Sequence, residues 1–270
     1  MTSGSRLSAR AMRIGAVAAL VATAGVVPLA PGAGAATYTY SGSGYDASYP
    51  QGSFTPPSGM SFAIIGVTHG RPFTTNQYAA RQWENAGTLS KSLYFNTGYA
   101  LAYAKSDTAY CKTSSALYTP TGASGHTLSA LQAAWAIGCS EADWAVSVAP
   151  GSPAMWWADV ETGNSWSTNT ALNQATITGM VTELAHNSAS SGIQVGIYST
   201  PSMWASITGS NFVVSGVSGD WQAGLSTCSS TTTGFTLTSG SPALDAPVFV
   251  AQTGTATYQG TTYDTDLGCG

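Results

Sequence analysis

The sequence predicts an α/β fold in a single domain, a TIM-barrel-like (β/α)₅(β)₃ barrel, and three observations lead to this prediction. Strands and helices alternate through the first part of the chain, which indicates a parallel sheet. Three more strands follow without a long amphipathic helix between them. Eight strands in this order predict closure as a variant of the (β/α)₈ barrel, a fold that roughly 235 residues can form as one domain.

The five strand–helix units are predicted from apolar runs and from helix start and stop signals. Phe62–Thr68 is a continuous apolar run, as expected for a strand covered on both faces. Thr74 or Thr75 is a suitable N-cap for the first helix, and Gly87 closes it. The predicted elements, in order, are strand 45–49, strand 62–68, helix 75–86, strand 93–99, helix 128–148 with Gly138 as a possible break, strand 154–161, helix 169–190, strand 195–199 and a short helix from Pro201.

The last part of the predicted barrel consists of strands alone. These strands are expected at 220–223, 248–253 and 262–267. The stretch from Ser226 to Ser241 is rich in Ser, Thr and Gly, which indicates a loop or a hairpin. Five strand–helix units followed by three strands give the predicted barrel order.

The first 35 residues have the features of a secretory signal. A basic start is followed by an apolar run over 14–30, and the small residues at 33–35 fit a cleavage site. We therefore expect residues 1–35 to be a signal peptide, residues 36–270 to be the barrel domain, and the protein to be secreted. An uncleaved membrane anchor fits less well, because the apolar run is short and contains Pro28.

The charge balance of the predicted mature chain argues against two classes of partner. Loss of Arg6, Arg10 and Arg13 leaves five of the eight basic residues against twelve acids, a formal charge of −7. Without a basic patch, neither nucleic acid nor an anionic membrane surface is an expected partner. A surface rich in Ser, Thr and aromatic residues suits a polysaccharide, which hydroxyls, amides and aromatic faces bind. The protein is expected to be a monomer.

The cysteines predict disulfides rather than a metal site. An even number of cysteines in an exported chain indicates two disulfides. Three connectivities are possible, and proximity in sequence favours Cys111–Cys139 and Cys228–Cys269. No Cys or His spacing indicates zinc, and neither a metal nor an organic cofactor is implied.

The most informative stretch is a predicted buried strand that ends in two carboxylates, Asp159 and Glu161. Because strand side chains alternate between faces, both project to one side, with Cα atoms about 6.6 Å apart. In a chain with 7% charged residues, two acids at one strand end are costly unless a site uses them. Paired carboxylates perform glycoside hydrolysis, and because this spacing joins Cα atoms rather than carboxyl groups, it predicts neither retention nor inversion. Trp157 shares the carboxylate face and is a candidate for stacking on a sugar ring, whereas Trp156 is expected in the core.

Other strand ends supply further candidates, because catalytic residues of such barrels lie at the carboxyl ends of the strands. Asp46 follows the first strand and Asp266 lies in the last, and both are favoured as acids of the site. Asp264 is expected one pleat deeper on the same face, as a partner rather than a catalyst. The candidate substrate-binding residues are Trp157, His69, Asn96, Tyr198, Trp221 and Gln252.

Over most of the mature chain, several short motifs resemble those of glycoside hydrolase family 25, the lysozyme-like N-acetylmuramidases. They are GYDASYPQG at the first strand, DVE at the fourth, GIYST at the fifth, AQTG at the seventh and YDTDLG at the eighth. The resemblance implies a (β/α)₅(β)₃ barrel with Glu161 as general acid. It implies that Asp159 stabilises the developing positive charge or orients the acetamido group of the substrate, and that Asp46 and Asp266 complete an acidic cluster.

The chain departs from the pattern of that family at three places. His69 stands where a Glu usually follows the second strand, Asn96 ends a Tyr-Phe-Asn run in place of Tyr-His, and 104–125 is an insertion. In these respects the chain is more similar to lysozyme-like TIM-barrel proteins of exported actinobacterial type. The leading hypothesis is a secreted glycoside hydrolase that cleaves a cell-wall polysaccharide, most simply the glycan strand of peptidoglycan. The alternatives are a catalytically inactive glycan-binding barrel and a glycosidase that acts on a different polysaccharide.

Overall fold

The computed structural model describes residues 39–120, 127–188, 192–209, 211–228, 233–237 and 245–270, and the predicted signal peptide lies outside these ranges. The described residues form nine strands. These are β1 (Ser41–Ala47), β2 (Phe62–Gly66), β3 (Ser90–Asn96), β4 (Met155–Asp159), β5 (Gln194–Ser199), β6 (Gly219–Ala223), β7 (Thr233–Leu237), β8 (Asp245–Tyr258) and β9 (Thr261–Cys269).

Eight of these strands close into a barrel, and the predicted fold is confirmed. Strands β1 to β6 pair in sequence order as parallel neighbours, and β8 pairs in parallel with β6. Strand β9 closes the barrel, because it lies antiparallel to both β8 and β1. The short β7 pairs only with β8, in the stretch predicted to be a loop or hairpin.

The last two barrel strands extend beyond the predicted bounds. Strand β8 has 14 residues, and its pairing with β9 continues to Tyr258 and Thr261. The register shifts between Gln252 and Gly254, and Gly254 has a φ of 146°. This is a β-bulge, a feature that bends strands at barrel rims and next to sites.

Five α-helices occur in the described residues. They are α1 (Ala79–Asn85), α2 (Ala109–Ser115), α3 (Leu128–Ser147), α4 (Thr170–Ser188) and α5 (Pro201–Thr208). Helix α1 begins later than predicted, because Thr74 accepts a hydrogen bond from the His69 backbone and therefore shapes the loop before the helix. None of the helices in these ranges is both long enough and apolar enough to cross a membrane.

The prediction that Gly138 breaks its helix is wrong. Helix α3 runs without interruption through this residue and packs against α4. A Cβ at Gly138 would lie 1.8 Å from the Thr176 carbonyl oxygen, and one at Gly179 would lie 2.1 Å from the Trp135 carbonyl oxygen. The two glycines therefore allow the backbones of α3 and α4 to approach closely.

The core has two layers, one on each face of the barrel wall. Trp156 packs with Phe95 in the layer between strands and helices, as predicted. Trp157 points the other way, into the barrel interior, where its Nε1 donates to Tyr40 Oη at 2.9 Å. A Cβ at Gly196 would lie 2.2 Å from the Trp157 ring, so the glycine of β5 makes room for this indole.

Both predicted disulfides are present. Cys111–Cys139 joins α2 to α3, which attaches the insertion to the main helical layer. Cys228–Cys269 joins the segment after β6 to the end of β9. The first disulfide therefore connects two helices, and the second connects the segment after β6 to a strand.

Candidate active site

A cleft of about 270 Å³ opens at the carboxyl ends of the parallel strands. Loops and strand ends from most of the barrel line this cleft. This is the end of the barrel at which active sites of such folds lie. Its lining residues are Asp46, Ser48, Tyr49, Gly70, Tyr94, Asn96, Asp159, Glu161, Tyr198, Trp221, Gln252 and Asp264. Among these described residues there are four acids and no Lys or Arg, so the cleft is strongly acidic.

The carboxyls of Asp159 and Glu161 lie close enough for each to shift the pKa of the other. Asp159 is 3% exposed, whereas Glu161 is only partly buried and faces the cleft. Burial and the charge of Glu161 raise the pKa of Asp159, and burial also raises the pKa of Glu161. Trp166 Nε1 donates to the Glu161 backbone carbonyl at 2.8 Å and fixes the turn that carries it. The contact between the two carboxyls raises the pKa of Asp159 and lowers that of Glu161, so the two groups do not ionise independently.

Asn96 lines the cleft and also contacts Asp159. Its Nδ2 donates to Asp159 Oδ2, and Asn164 Nδ2 donates to Asp159 Oδ1 at 3.4 Å. Thr68 Oγ1 donates to Asn96 Oδ1 at 2.8 Å, so the amide nitrogen of Asn96 must face Asp159. These two amides lower the pKa of Asp159 and so oppose the effect of burial. Asn96 therefore positions a carboxylate, and because it also lines the cleft, its predicted contact with substrate stays a prediction.

A second carboxyl pair, Asp46 and Asp266, lies on the β1–β9 side of the barrel. Asp266 Oδ1 accepts from Trp221 Nε1 at 2.9 Å, and Asp46 Oδ2 accepts from Gln252 Nε2 at 3.0 Å. Asp266 Oδ2 is buried and has no hydrogen-bond partner among the described residues. Burial raises the pKa of Asp266 to about 8, and burial with the charge of Asp266 raises that of Asp46. This pair therefore holds a proton at neutral pH.

Asp264 lies nearer to the cleft than Asp266, so the predicted order of the two is wrong. Because β9 runs antiparallel to β1, Asp264 pairs with Asp46 at the strand end, and Asp266 pairs with Gly44 further inside. Asp264 is partly exposed and lines the cleft, whereas Asp266 is 3% exposed. The prediction assumed the direction of a parallel strand, and this direction is not visible in local sequence.

Tyr198 and Gln252 connect the two carboxyl pairs. Tyr198 Oη donates to Gln252 Oε1 at 2.8 Å, which directs Gln252 Nε2 towards Asp46. Tyr198 Oη also contacts the Glu161 carboxyl and lowers the pKa of that group. Both predicted residues therefore lie in the cleft, and their polar groups link Glu161 to Asp46.

The two tryptophans predicted to bind substrate are buried. Trp157 is fully buried in the barrel interior, so it has the predicted face but lies too deep to stack on a sugar. Trp221 is 1% exposed, and its ring forms part of the floor of the cleft below Tyr198, 4.4 Å between ring centroids. Its Nε1 is bonded to Asp266. Trp221 therefore supports an acidic residue, Trp157 packs in the barrel interior, and neither offers a free aromatic face.

His69 lies outside the lining of the cleft, at its rim. The ring is exposed and stacks on Tyr49, with 3.9 Å between centroids and 16° between planes. Tyr49, Ser48 and Tyr94 line the cleft although the sequence prediction omitted them. Gly66 on the neighbouring strand makes room for Tyr94, because a Cβ at Gly66 would lie 2.7 Å from the Tyr94 ring. This glycine is the sequence feature that could have indicated the position of Tyr94.

Searches with protein-family models and with curated protein sequences find no match. Comparison with solved structures finds the same fold in a lysozyme from Streptomyces coelicolor, with a TM-score of 0.54 and 19% identity over 86% of this chain and 94% of that one. A muramidase from Acremonium alcalophilum has a TM-score of 0.51 and 17% identity, over 84% and 93% of the two chains. A muramidase from Trichobolus zukalii has a TM-score of 0.50 and 18% identity over the same shares. The chain therefore has the fold of these proteins.

Proposed function

We propose that this chain is a secreted glycoside hydrolase that cleaves the glycan strand of peptidoglycan, with Glu161 as general acid and Asp159 as the charge-stabilising carboxylate. The observation that carries the proposal is the pair of neighbouring carboxyls at the cleft, in which one acid is buried and the other is accessible. Glycoside hydrolysis needs two carboxyls that differ in this way, because one must supply a proton while the other stays charged.

Glu161 is the member of the pair that can reach a substrate. It gives its proton to the glycosidic oxygen while the bond from that oxygen to the anomeric carbon breaks. The Tyr198 hydroxyl, which contacts the Glu161 carboxyl, then stabilises the carboxylate that remains. Water supplies a hydroxyl group to the anomeric carbon, and the second proton of that water restores the acid.

Asp159 supplies the negative charge that the transition state needs. As the anomeric carbon becomes positive, a carboxylate held in a low-dielectric wall stabilises it strongly. Asn96 and Asn164 donate to Asp159 and favour its charged form, which leaves Glu161 as the member of the pair that carries the proton. Asp46 and Asp266 keep a proton between them, which limits the total charge of the cleft.

The choice of peptidoglycan and of secretion has separate support. Proteins with this fold include a lysozyme and two muramidases by name. Two disulfides are typical of proteins that work outside the reducing cytosol. The stacked His69–Tyr49 pair at the rim offers a flat surface against which a sugar ring can pack.

The test compares wild type with Glu161→Gln on purified peptidoglycan, by following new reducing ends and product masses. Loss of the general acid is expected to reduce turnover by about 10²–10⁴-fold while glycan binding remains. Glu84→Gln is the matched control, because Glu84 lies on the surface of α1 in an ion pair with Arg81. Muropeptides that end in reducing N-acetylmuramic acid, formed by wild type and by the control, would support the proposal.

The second candidate is a catalytically inactive barrel that binds glycan. His69 and Asn96, which depart from the pattern of the resembling family, favour it. If wild type and Glu161→Gln bind peptidoglycan equally and neither releases products from any polysaccharide, the binding barrel replaces the enzyme. Products from another polysaccharide would keep the mechanism and change the substrate.

A further inference from the structure

One rim of the cleft is formed by residues 67–76, the rim loop, which lies between β2 and α1. Gly70 of this loop lines the cleft, and the exposed His69 ring stacks on Tyr49, which lines it as well. A Cβ at Gly70 would lie 3.1 Å from the Tyr49 ring, so the loop packs closely against that side chain. The position of the rim loop therefore sets the shape of this side of the cleft.

The two ends of the rim loop are joined by hydrogen bonds of Asn76. Its backbone N–H donates to the Val67 carbonyl at 2.8 Å, and its Nδ2 donates to the carbonyl of the last β2 residue at 2.8 Å. Asn76 is buried, so this part of the loop is fixed within the barrel wall. The same end carries Thr68, whose hydroxyl orients the Asn96 amide beside the carboxylate pair. The carboxylates are therefore positioned independently of the rest of the loop.

The tip of the rim loop, residues 69–74, is held by Phe73. This residue has a φ of 57°, in the left-handed region that is unfavourable for a bulky side chain. Its ring makes edge contacts with Tyr103 and Trp144, with 5.8 Å and 6.5 Å between centroids. Trp144 Nε1 also donates to the Thr74 carbonyl at 3.3 Å. These contacts therefore stabilise a backbone conformation that Phe73 would otherwise avoid.

Tyr103 belongs to a segment that is attached to the helical layer. It lies in the 3₁₀-helix Leu101–Ser106, which leads into the insertion and does not line the cleft. The Thr108 backbone N–H donates to Ser140 Oγ at 3.0 Å, and the disulfide between α2 and α3 makes a second connection. The insertion and the turn before it are therefore fixed to α3, and Tyr103 connects them to the rim loop.

We propose that Tyr103, acting through Phe73, is a positioning residue that holds the tip of the rim loop against Tyr49 and so determines how strongly the cleft binds its glycan. The proposal rests on the proposed glycosidase function. A loop held in its binding conformation before the substrate arrives has less conformational entropy to lose, so KM is lower. Neither Tyr103 nor Phe73 is among the residues that line the cleft, and Asn76 fixes the other end of the loop, so kcat should change little.

The experiment compares wild type with Tyr103→Ala, Phe73→Ala and the double variant in two measurements. Hydrogen exchange followed by mass spectrometry reports on the tip, where the His69 N–H donates to Thr74 Oγ1 at 2.9 Å. In each single variant the amides of residues 69–74 should exchange about three- to tenfold faster, because the tip opens more often. Kinetics on a soluble glycan should show KM raised about three- to tenfold, the equivalent of one aromatic pair, and kcat within about twofold of wild type. Because Tyr103 acts through Phe73, the double variant should match Phe73→Ala.

The matched control is Tyr110→Ala, because Tyr110 is an exposed aromatic residue of the same segment whose ring stacks on His186 of α4 rather than on the rim loop. This control, and Tyr103→Phe, which keeps the ring, should leave exchange and KM within about twofold of wild type. Unchanged exchange or KM in Tyr103→Ala, effects that multiply in the double variant, or equal effects in Tyr110→Ala would overturn the proposal. An inactive wild type would refute the glycosidase alone. The dissociation constant of the glycan then replaces KM, and the exchange measurement stays the same.

Discussion

Asp159 is buried, although it must carry a negative charge in the proposed chemistry. Burial raises its pKa, and two amides, Asn164 and Asn96, lower it. Of these amides, Asn96 is the better fixed, since Thr68 accepts from its backbone N–H at 2.9 Å and donates to its side-chain oxygen at 2.8 Å. Thr68 therefore selects the orientation in which Asn96 donates to the carboxylate.

Asn96→Ala is expected to raise the pKa of Asp159, because it removes a donor to the charged form. The acidic limb of the profile of kcat against pH should move to higher pH, and kcat at the optimum should fall about tenfold or more. KM should change less than kcat, because Asn96 acts through Asp159. The measurement is kcat and KM from pH 3 to 9 on a soluble glycan.

Thr68→Val tests whether the orientation of the amide matters. It removes the hydroxyl and keeps the side-chain volume, so the same limb should move in the same direction by a smaller amount. If the acidic limb of the kcat profile stays at the same pH in both variants and kcat is unchanged, the pKa of Asp159 does not depend on Asn96 and Thr68.

At the scale of elements, the closest contact in the helical layer is that between α3 and α4. Gly138 and Gly179 have no side chains, so the two helices approach closely where they cross. Thr176 Oγ1 donates a hydrogen bond across this crossing to the Ala134 carbonyl at 3.1 Å. In isolation, glycine within a helix is unfavourable by about 1 kcal/mol relative to alanine. Here the packing requirement outweighs that preference.

Gly138→Ala is therefore expected to destabilise the protein by about 1–3 kcal/mol, although helix propensity alone predicts stabilisation. The reason is the new Cβ, which would meet the Thr176 carbonyl oxygen at 1.8 Å, so the helices must separate. Urea unfolding followed by fluorescence measures the change. Gly163→Ala is the control, since a Cβ there meets nothing within 4 Å. An increase in stability for Gly138→Ala would mean that the helices have room to adjust.

Local sequence predicted which elements exist better than how they contact one another. Alternating apolar runs and the DVE motif were sufficient for the barrel and for the Asp159–Glu161 pair. Strand direction is set by the partner strand, so the order of Asp264 and Asp266 was wrong. How deeply a side chain lies in the barrel also depends on the whole fold. Trp157 was therefore predicted on the correct face of its strand, but it is too deeply buried to stack on a sugar ring.

At the scale of the whole molecule, the charges are distributed unusually. Among the described residues, five buried acids have a raised pKa, mainly through burial: Glu183 and the four acids Asp46, Glu141, Asp159 and Asp266. In the parts of the chain that the structure describes, the ion pairs are Arg81–Glu84 and His186–Glu183, so none of the four acids is paired with a cation. The folded state therefore prefers these groups to be neutral.

This preference predicts that the free energy of unfolding falls as the pH rises from about 4 to 8. In the unfolded chain Asp266 loses its proton near its ordinary pKa of about 3.9, and in the folded protein it keeps it up to about 8. Between these values the folded state binds more protons, so each such acid lowers stability by up to about 1.4 kcal/mol per pH unit. Chemical unfolding at a series of pH values measures this slope.

Asp266→Asn separates the contribution of this acid from the rest of the molecule. The amide oxygen can still accept from Trp221, and the amide nitrogen can donate to Asp46, so the packing is kept while the titration is removed. The slope between pH 4 and 8 should decrease by about one proton, and the variant should gain stability relative to wild type as the pH rises. An unchanged slope would mean that Asp266 ionises in the folded state as readily as in the unfolded chain. In that case the proton assigned to the Asp46–Asp266 pair would be absent at neutral pH, and the cleft would carry more negative charge than the proposed mechanism allows.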